Sequence, residues 1–153
     1  FVKKILFEET TTKDFSDWTQ TKLLGMEYFN GSVISKSFYQ PDILYKFNPE
    51  DENTDFHPSA EAVLDVKNKA NSVFNNSDIY QIIMYNQLLY SKKSILIYPS
   101  FFRKQSTNLL IENDIILVPE IHSVFINITG PDAETFKTAI NNLLEDIYEI
   151  LDK

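Results

Sequence analysis

Three short stretches of this chain carry the residue types that act on phosphodiesters. Pro41-Asp42 comes first, Asp65-Val66-Lys67 second, and Asp78, Gln81 and Tyr85 third. Cleaving a phosphodiester requires a nucleophilic water, neutralisation of charge on the phosphoryl oxygens and help for the leaving oxygen. One or two divalent cations held by rigid oxygen ligands serve all three needs. Asp65 has the place of a central ligand, and Asp42, from a neighbouring extended segment, that of a second carboxylate. The backbone carbonyl of Val66 is a further candidate oxygen, because its side chain turns to the core. Lys67 lies two residues from Asp65, so both share one face of a strand. There its ammonium can orient an attacking water or stabilise developing charge, whereas a protonated lysine makes a poor base. Asp78, Gln81 and Tyr85 are spaced by three and four, which makes one polar line along a helix. From that line Gln81 can bond a phosphate, and Tyr85 can do the same or brace Lys67. Glu27 is the candidate for an additional metal ligand. Taken singly, the Asp–Lys pair could be a surface ion pair worth a few tenths of a kcal/mol, and the helix line a solvated face. Their joint order is what points to chemistry.

The elements that must position these groups follow from periodicity. SFYQPDILYKF (37–47) and AEAVLDVKNK (60–69) read as extended arms, and NSDIYQIIMYNQLLY (76–90) as the helix after them. In AVLDVK, Ala62, Leu64 and Val66 share one face and Val63, Asp65 and Lys67 the other. Ser77 or Asn76 is a possible cap for the helix, whose apolar stripe includes Ile79, Ile82, Ile83 and Leu89. Residues 1–9 fit a strand or the tail of a helix. Ser16-Asp17 offers a cap for a short helical stretch through Met26, with Trp18, Leu23 and Leu24 as candidate buried positions and Glu27 at its end. Asn30-Gly31 signals a turn, after which Val33, Ser35, Ser37 and Tyr39 alternate against Ile34, Lys36 and Phe38 as in a strand. Residues 48–60 are acidic and contain two prolines, so they read as an exposed loop. SILIYPS (94–100) is an apolar strand entered from a helix, which suggests a crossover and a partly parallel sheet. STNLLIEN and IILVPEIHSVFINITG add two or three strands. After Gly130-Pro131, Asp132 can cap a terminal amphipathic helix with Phe136, Ile140, Leu143, Leu144, Ile147 and Leu151 inward. The outline is an α/β fold, a mixed sheet with helices on both faces, in one domain spanning 1–153.

Bulk properties narrow the function. With 153 residues, 43% of them hydrophobic, the chain can bury one good core. No apolar run approaches the roughly 20 residues that cross a bilayer, so no membrane role is expected. The absence of cysteine rules out disulfides and thiolate zinc sites and fits a reducing cytoplasm. Net charge is −8, divided evenly: residues 1–75 carry 8 basic and 12 acidic groups, residues 76–153 carry 6 and 10. A duplex-binding surface is normally basic, so most duplex affinity is expected to come from another domain or subunit. Metal-bound carboxylates remain compatible with a polyanion, because the ion reverses the local sign. His57 and His122 lack metal-ligand spacing and read as surface or packing residues. Phe101-Phe102 beside Arg103-Lys104 reads equally as a DNA contact or a strand-end packing element.

The segments QPDILYKF (40–47), AVLDVKNK (62–69), SDIYQIIMYNQLLY (77–90) and ILIYPS (95–100) together resemble the PD-(D/E)xK nuclease superfamily. Within it they look like the nuclease domains of McrC, the cleavage subunits of McrBC modification-dependent restriction systems. VFINIT (124–129) is similar to the late strand of such domains. The resemblance implies a restriction-endonuclease-like α/β/α sandwich with a central mixed sheet. It implies Asp42 and Asp65 as metal carboxylates, Lys67 as the catalytic lysine, and Gln81 with Tyr85 as the QxxxY pattern shared with RecB-like nucleases. It further implies Mg²⁺-dependent endonucleolytic cleavage of double-stranded DNA, with Mn²⁺ as a substitute ion. The implied partner is a McrB-like AAA+ GTPase, engaged through an N-terminal region outside this chain, which is then a fragment of a longer cytoplasmic protein. Glu27 has no counterpart in the family pattern. The rival readings are a RecB-like repair nuclease and a catalytically silent nuclease fold that serves assembly.

Overall fold

The computed structural model describes residues 1–8, 14–17, 22–49, 57–69, 74–111, 119–130 and 132–153. The elements run α1 (Val2–Glu8), β1 (Phe15–Asp17), β2 (Lys22–Phe29), β3 (Ser32–Tyr39), β4 (Ile43–Tyr45), β5 (Ala62–Val66), α2 (Asn76–Leu88), β6 (Lys93–Ser100), β7 (Thr107–Leu109), β8 (Glu120–Asn127) and α3 (Ala133–Leu151). Six strands make one mixed sheet in the order β1-β4-β5-β6-β8-β7. β5, β6 and β8 are parallel, while β1, β4 and β7 pair antiparallel with their neighbours. The apolar runs of β5 and β6 are buried on both faces, as crossover-linked parallel strands require.

Period-two alternation divides the core into two layers. Ile43, Tyr45, Ala62, Leu64, Ile95, Ile97, Val124 and Ile126 face α1 and α3, meeting Ile5, Leu6, Leu143 and Ile147. Leu44, Val63, Leu96, Tyr98, Ile121 and Phe125 face α2, meeting Ile82, Tyr85 and Leu89. The result is an α/β/α sandwich, with Asp65 and Lys67 on the α2 side by the same alternation. Among the described residues, no helix is long and apolar enough to cross a membrane.

Two caps fix the long helices. The Asn75 side chain accepts the Asp78 N–H and opens α2, one residue before the expected cap. Asp132 caps α3 through the Thr135 N–H, as its position after Gly130-Pro131 suggested. Along α3, Leu143 and Ile147 are buried and Ile140, Leu144 and Leu151 pack at the margin of the core. Phe136 departs from the inward stripe: it is 38% exposed and lies against the Phe1 ring.

The expected helix from Ser16 to Met26 does not form. Phe15–Asp17 adds to the sheet edge beside β4, and Lys22–Phe29 pairs with Ser32–Tyr39 as an antiparallel ribbon. Asn30 and Gly31 explain the difference, since both have left-handed φ values of 49° and 79°. A two-residue turn with that handedness matches strand twist and zips together the segments on both its sides. Leu24, a candidate core position in the helical reading, is accordingly 43% exposed. Trp18 and the Leu23 side chain lie outside the described residues.

Leu143→Ala, in the centre of the α3 face, is expected to cost about 3 kcal/mol. Phe136→Ala is expected to cost about 1 kcal/mol or less, because its ring is already partly solvated. Urea unfolding at neutral pH checks both, and equal losses would contradict this placement of α3.

Candidate active site

The two sequence signatures meet because β4 and β5 are antiparallel. The start of β4 lies beside the end of β5, with Ile43 opposite Leu64. Continuing that register sets Pro41 opposite Val66, where the ladder ends. The Asp42 carboxylate takes over there, its Oδ2 accepting the Val66 N–H at 3.0 Å. Lys67 N–H donates to Ile97 on the opposite flank. Alternate residues of a strand turn their peptide groups to opposite neighbours, so the Val66 carbonyl faces the Asp42 side. The other oxygen of Asp42, Oδ1, is 3.8 Å from Lys3 Nζ of α1.

Asp65 is buried and stands against the Lys67 ammonium as an ion pair. Its Oδ2 is sealed from solvent and is the oxygen that the Lys67 ammonium meets. Burial pushes the Asp65 carboxyl up to about 6; Lys67 opposes the rise, and the Asp42 carboxylate, within hydrogen-bonding reach, adds to it. Lys67 is itself only 11% exposed and has three partners. Besides Asp65 it reaches Asp78 Oδ1 at 3.4 Å and donates to Gln81 Oε1 at 2.7 Å. Burial alone would lower its pKa. The hydrogen bond and charge of Asp65, then those of Asp78, outweigh burial and hold the ammonium above its ordinary value.

One chain of hydrogen bonds has its direction set by Lys67. An ammonium only donates, so Gln81 must present its oxygen to it. The Gln81 amide nitrogen then donates to Tyr85 Oη at 2.9 Å, and the Tyr85 hydroxyl donates to the Gln40 carbonyl at 3.2 Å. Burial raises the Tyr85 pKa, so it remains a donor at neutral pH. Gln40 immediately precedes Pro41-Asp42. The network thus runs from the end of β5, through α2, back to the turn that carries the second carboxylate.

Asp42, Asp65, Val66, Lys67, Gln81 and Tyr85 are therefore brought together, and Glu27 is not. Glu27 lies in β2 opposite Ser35, exposed, on the ribbon rather than on a helix. Its expected ligand role fails with the helix that was to carry it. Three further groups belong to the site. Asp78, which the polar line had set beside Gln81 and Tyr85 without a role of its own, joins Lys67. Tyr98 donates to Asp78 Oδ2 at 3.3 Å and accepts the Phe74 N–H at 3.2 Å. Burial pushes the Tyr98 hydroxyl up to about 12. Alternation from Leu96 places Tyr98 on the α2 face, but only the parallel register of β6 brings it to Asp78. Lys3, on α1, is the third.

Among the described residues, no group of three or more histidine or acidic side chains is disposed to hold a metal ion. The donor set is two adjacent carboxylates and one carbonyl, all hard oxygens of the kind that Mg²⁺ takes alongside water and substrate phosphate. The Asp65 and Asp42 carboxylates stand side by side, as a pair that shares a divalent cation would, with Asp65 Oδ2 also meeting Lys67. No protein-family model matches this chain, and no curated protein sequence matches it.

In metal-free protein, the folded state holds the Asp65 proton more tightly than the unfolded chain, whose carboxyl has the ordinary value of 3.8. The stability linked to Asp65 is thus complete below that value and lost as pH rises through about 6. Urea unfolding in EDTA across this window should show wild-type stability falling relative to Asp65→Asn. Mg²⁺ should reduce that fall by neutralising the ionised pair. Parallel curves for the two proteins would show that Asp65 does not titrate in this way.

Proposed function

We propose that this chain is a Mg²⁺-dependent endodeoxyribonuclease with a restriction-endonuclease-like core, of the kind found in McrC-type cleavage subunits. The observation that carries the reading is the hydrogen-bonded chain from Lys67 through Gln81 and Tyr85 to the Gln40 carbonyl. It ties the lysine of one signature to the Pro41-Asp42 turn of the other and adds Asp65 between them. The quoted resemblance supplies the substrate, double-stranded DNA, and the partner, a McrB-like AAA+ GTPase. The acidic balance of the chain agrees with a partner that contributes the duplex affinity.

Asp42 and Asp65, with the Val66 carbonyl, would hold the ion. When bound, Mg²⁺ supplies charge neutralisation on the phosphate and lowers the pKa of water. Lys67 is held protonated by its two carboxylate neighbours, so it serves as a donor to developing negative charge and not as the base. Gln81 and Tyr85 orient it. Asp78, buttressed by Tyr98, completes the ammonium's set of acceptors. These groups are mutually satisfied, so they need little reorganisation when a phosphate arrives.

A second reading, a silent nuclease fold used in assembly, is favoured by one observation: Lys67 is already engaged with Asp65, Asp78 and Gln81. A RecB-like enzyme shares the same site and differs in requiring duplex ends.

Calorimetry with Mg²⁺ or Mn²⁺ is expected to show divalent binding that Asp42→Ala and Asp65→Ala abolish and Lys67→Ala retains. Each of the three substitutions should lower cleavage of circular plasmid by about 10³-fold or more. Retained cleavage in all three folded variants would reject the assignment. Metal binding with no cleavage of circular or linear DNA would favour the silent fold. Cleavage of linear DNA alone would favour the end-dependent enzyme.

A further inference from the structure

Beyond the cleavage site, the segment that follows β6 places two phenyl rings in solvent at the same end of the sheet. Phe101 is 55% exposed and Phe102 is 61% exposed. Their backbone is pinned on both sides. Thr129 Oγ1 donates to the Phe101 carbonyl at 2.7 Å, Ser100 Oγ to the Phe102 carbonyl at 2.6 Å, and the Ile128 N–H to the Ser100 carbonyl at 2.9 Å. Lys104 Nζ lies 5.1 Å from the centroids of both Phe102 and the buried Phe125, which anchors the exposed ring to the core. Arg103 is exposed beside them, near Asp146. Two large apolar side chains therefore project into water from a hydrogen-bonded backbone, with two cations beside them.

We propose that Phe101 and Phe102 form a stacking platform for unpaired bases of the nucleic-acid strand that leaves the cleavage site, with Arg103 on its phosphates. The inference rests on the nuclease reading of that site. β5 and β6 are parallel, so Lys67 after one and Phe101 after the other point to the same end. Val66 is level with Ile97, which sets Phe101 four residues, about 13 Å, further along and one strand across. That reach spans about four stacked nucleotides, and fewer in a drawn-out strand. The rings select between strand forms. Phe101 and Phe102 are 55% and 61% exposed, and a ring can stack only on an unpaired base whose face is open, which a duplex keeps covered by its neighbours. The net charge of −8 disfavours a broad phosphate footprint of either form, so the cations needed must be local. Arg103 and Lys104 supply the local positive charge that favours an anionic strand over an apolar protein partner.

The test is fluorescence anisotropy of the 153-residue chain in EDTA, with a labelled 20-nucleotide single strand and the matching blunt duplex. The wild type should prefer the single strand. Phe101→Ala/Phe102→Ala should weaken that binding about tenfold or more, Phe102→Trp should preserve it, and Arg103→Ala should reduce its dependence on salt. Unchanged circular dichroism and melting exclude misfolding of the variants. Equal binding by the double variant and the wild type, duplex preference, or no binding by the wild type would each overturn the proposal. Cleavage by Asp65→Asn, measured separately with Mg²⁺, reports on the site reading alone. Retained cleavage there sinks the site and not the platform, whereas lost cleavage with unaltered binding in the phenylalanine variants sinks only the platform.

Discussion

A lysine ammonium that is 11% exposed inside a two-layer core would be prohibitively costly without acceptors around it. Lys67 has Asp65 from its own strand and Asp78 and Gln81 from α2. Much of the architecture is arranged so that these reach it. Ile82 and Leu89 pack on Val63 and Leu96 and set the rotation of α2. Asn75 caps the helix three residues before Asp78, which fixes where its first turn begins. Given that rotation, spacings of three and four carry Asp78, Gln81 and Tyr85 over the end of β5 together. A half-turn error in α2 would withdraw Asp78 and Gln81 and leave the ammonium with Asp65 alone against apolar side chains.

The parts of this arrangement that depend on local period were legible in the sequence. Alternation over 62–67 separates Asp65 and Lys67 from Leu64 and Val66, and the core clusters divide along that line. The polar line of α2, the Asp132 cap and the parallel entry into β6 belong to the same class of signal. The Ser16–Met26 region did not yield to it, because KLLGMEYF has neither a clean helical stripe nor strict alternation. Its partner decides its state. The Asn30-Gly31 turn implied that partner, since a tight turn must zip the strand before it as well as the strand after it. Applied to one side only, the signal left Glu27 on a helix that does not exist. Tyr98 and Lys3 were beyond reach for another reason: each meets the site through tertiary register, and nothing in its neighbourhood marks it.

The acidity of the chain takes on a different sense once the site is placed. Two of its carboxylates are adjacent, and a third, Asp78, sits across Lys67 from them. Lys67 lies between Asp65 and Asp78 and Lys3 lies by Asp42, and it is burial first, with the Asp42 carboxylate adding to it, that raises the Asp65 pKa. A proton on Asp65, or under the proposed function a divalent cation beside it, would relieve the burial of its charge. Near neutral pH that proton is largely lost, so under the proposed function the cation would take its place and give the site a sign that a phosphate can approach.

Strand direction explains why so few elements suffice. β4 runs against β5, so a residue just before β4 and residues at the end of β5 occupy the same edge of the sheet. β6 runs with β5, so whatever follows β6 emerges there as well. Asp42, Lys67 and Phe101 thus belong to three consecutive strands in the sheet, and each lies at the boundary where regular pairing stops. Side chains within the ladder are committed to one layer or the other. Those at its end are free of that commitment yet still held by rigid strands, and the proposed function would bring its substrate across this edge. The antiparallel neighbour contributes a carboxylate, the central strand a carboxylate and an ammonium, and the parallel neighbour leads to the exposed rings.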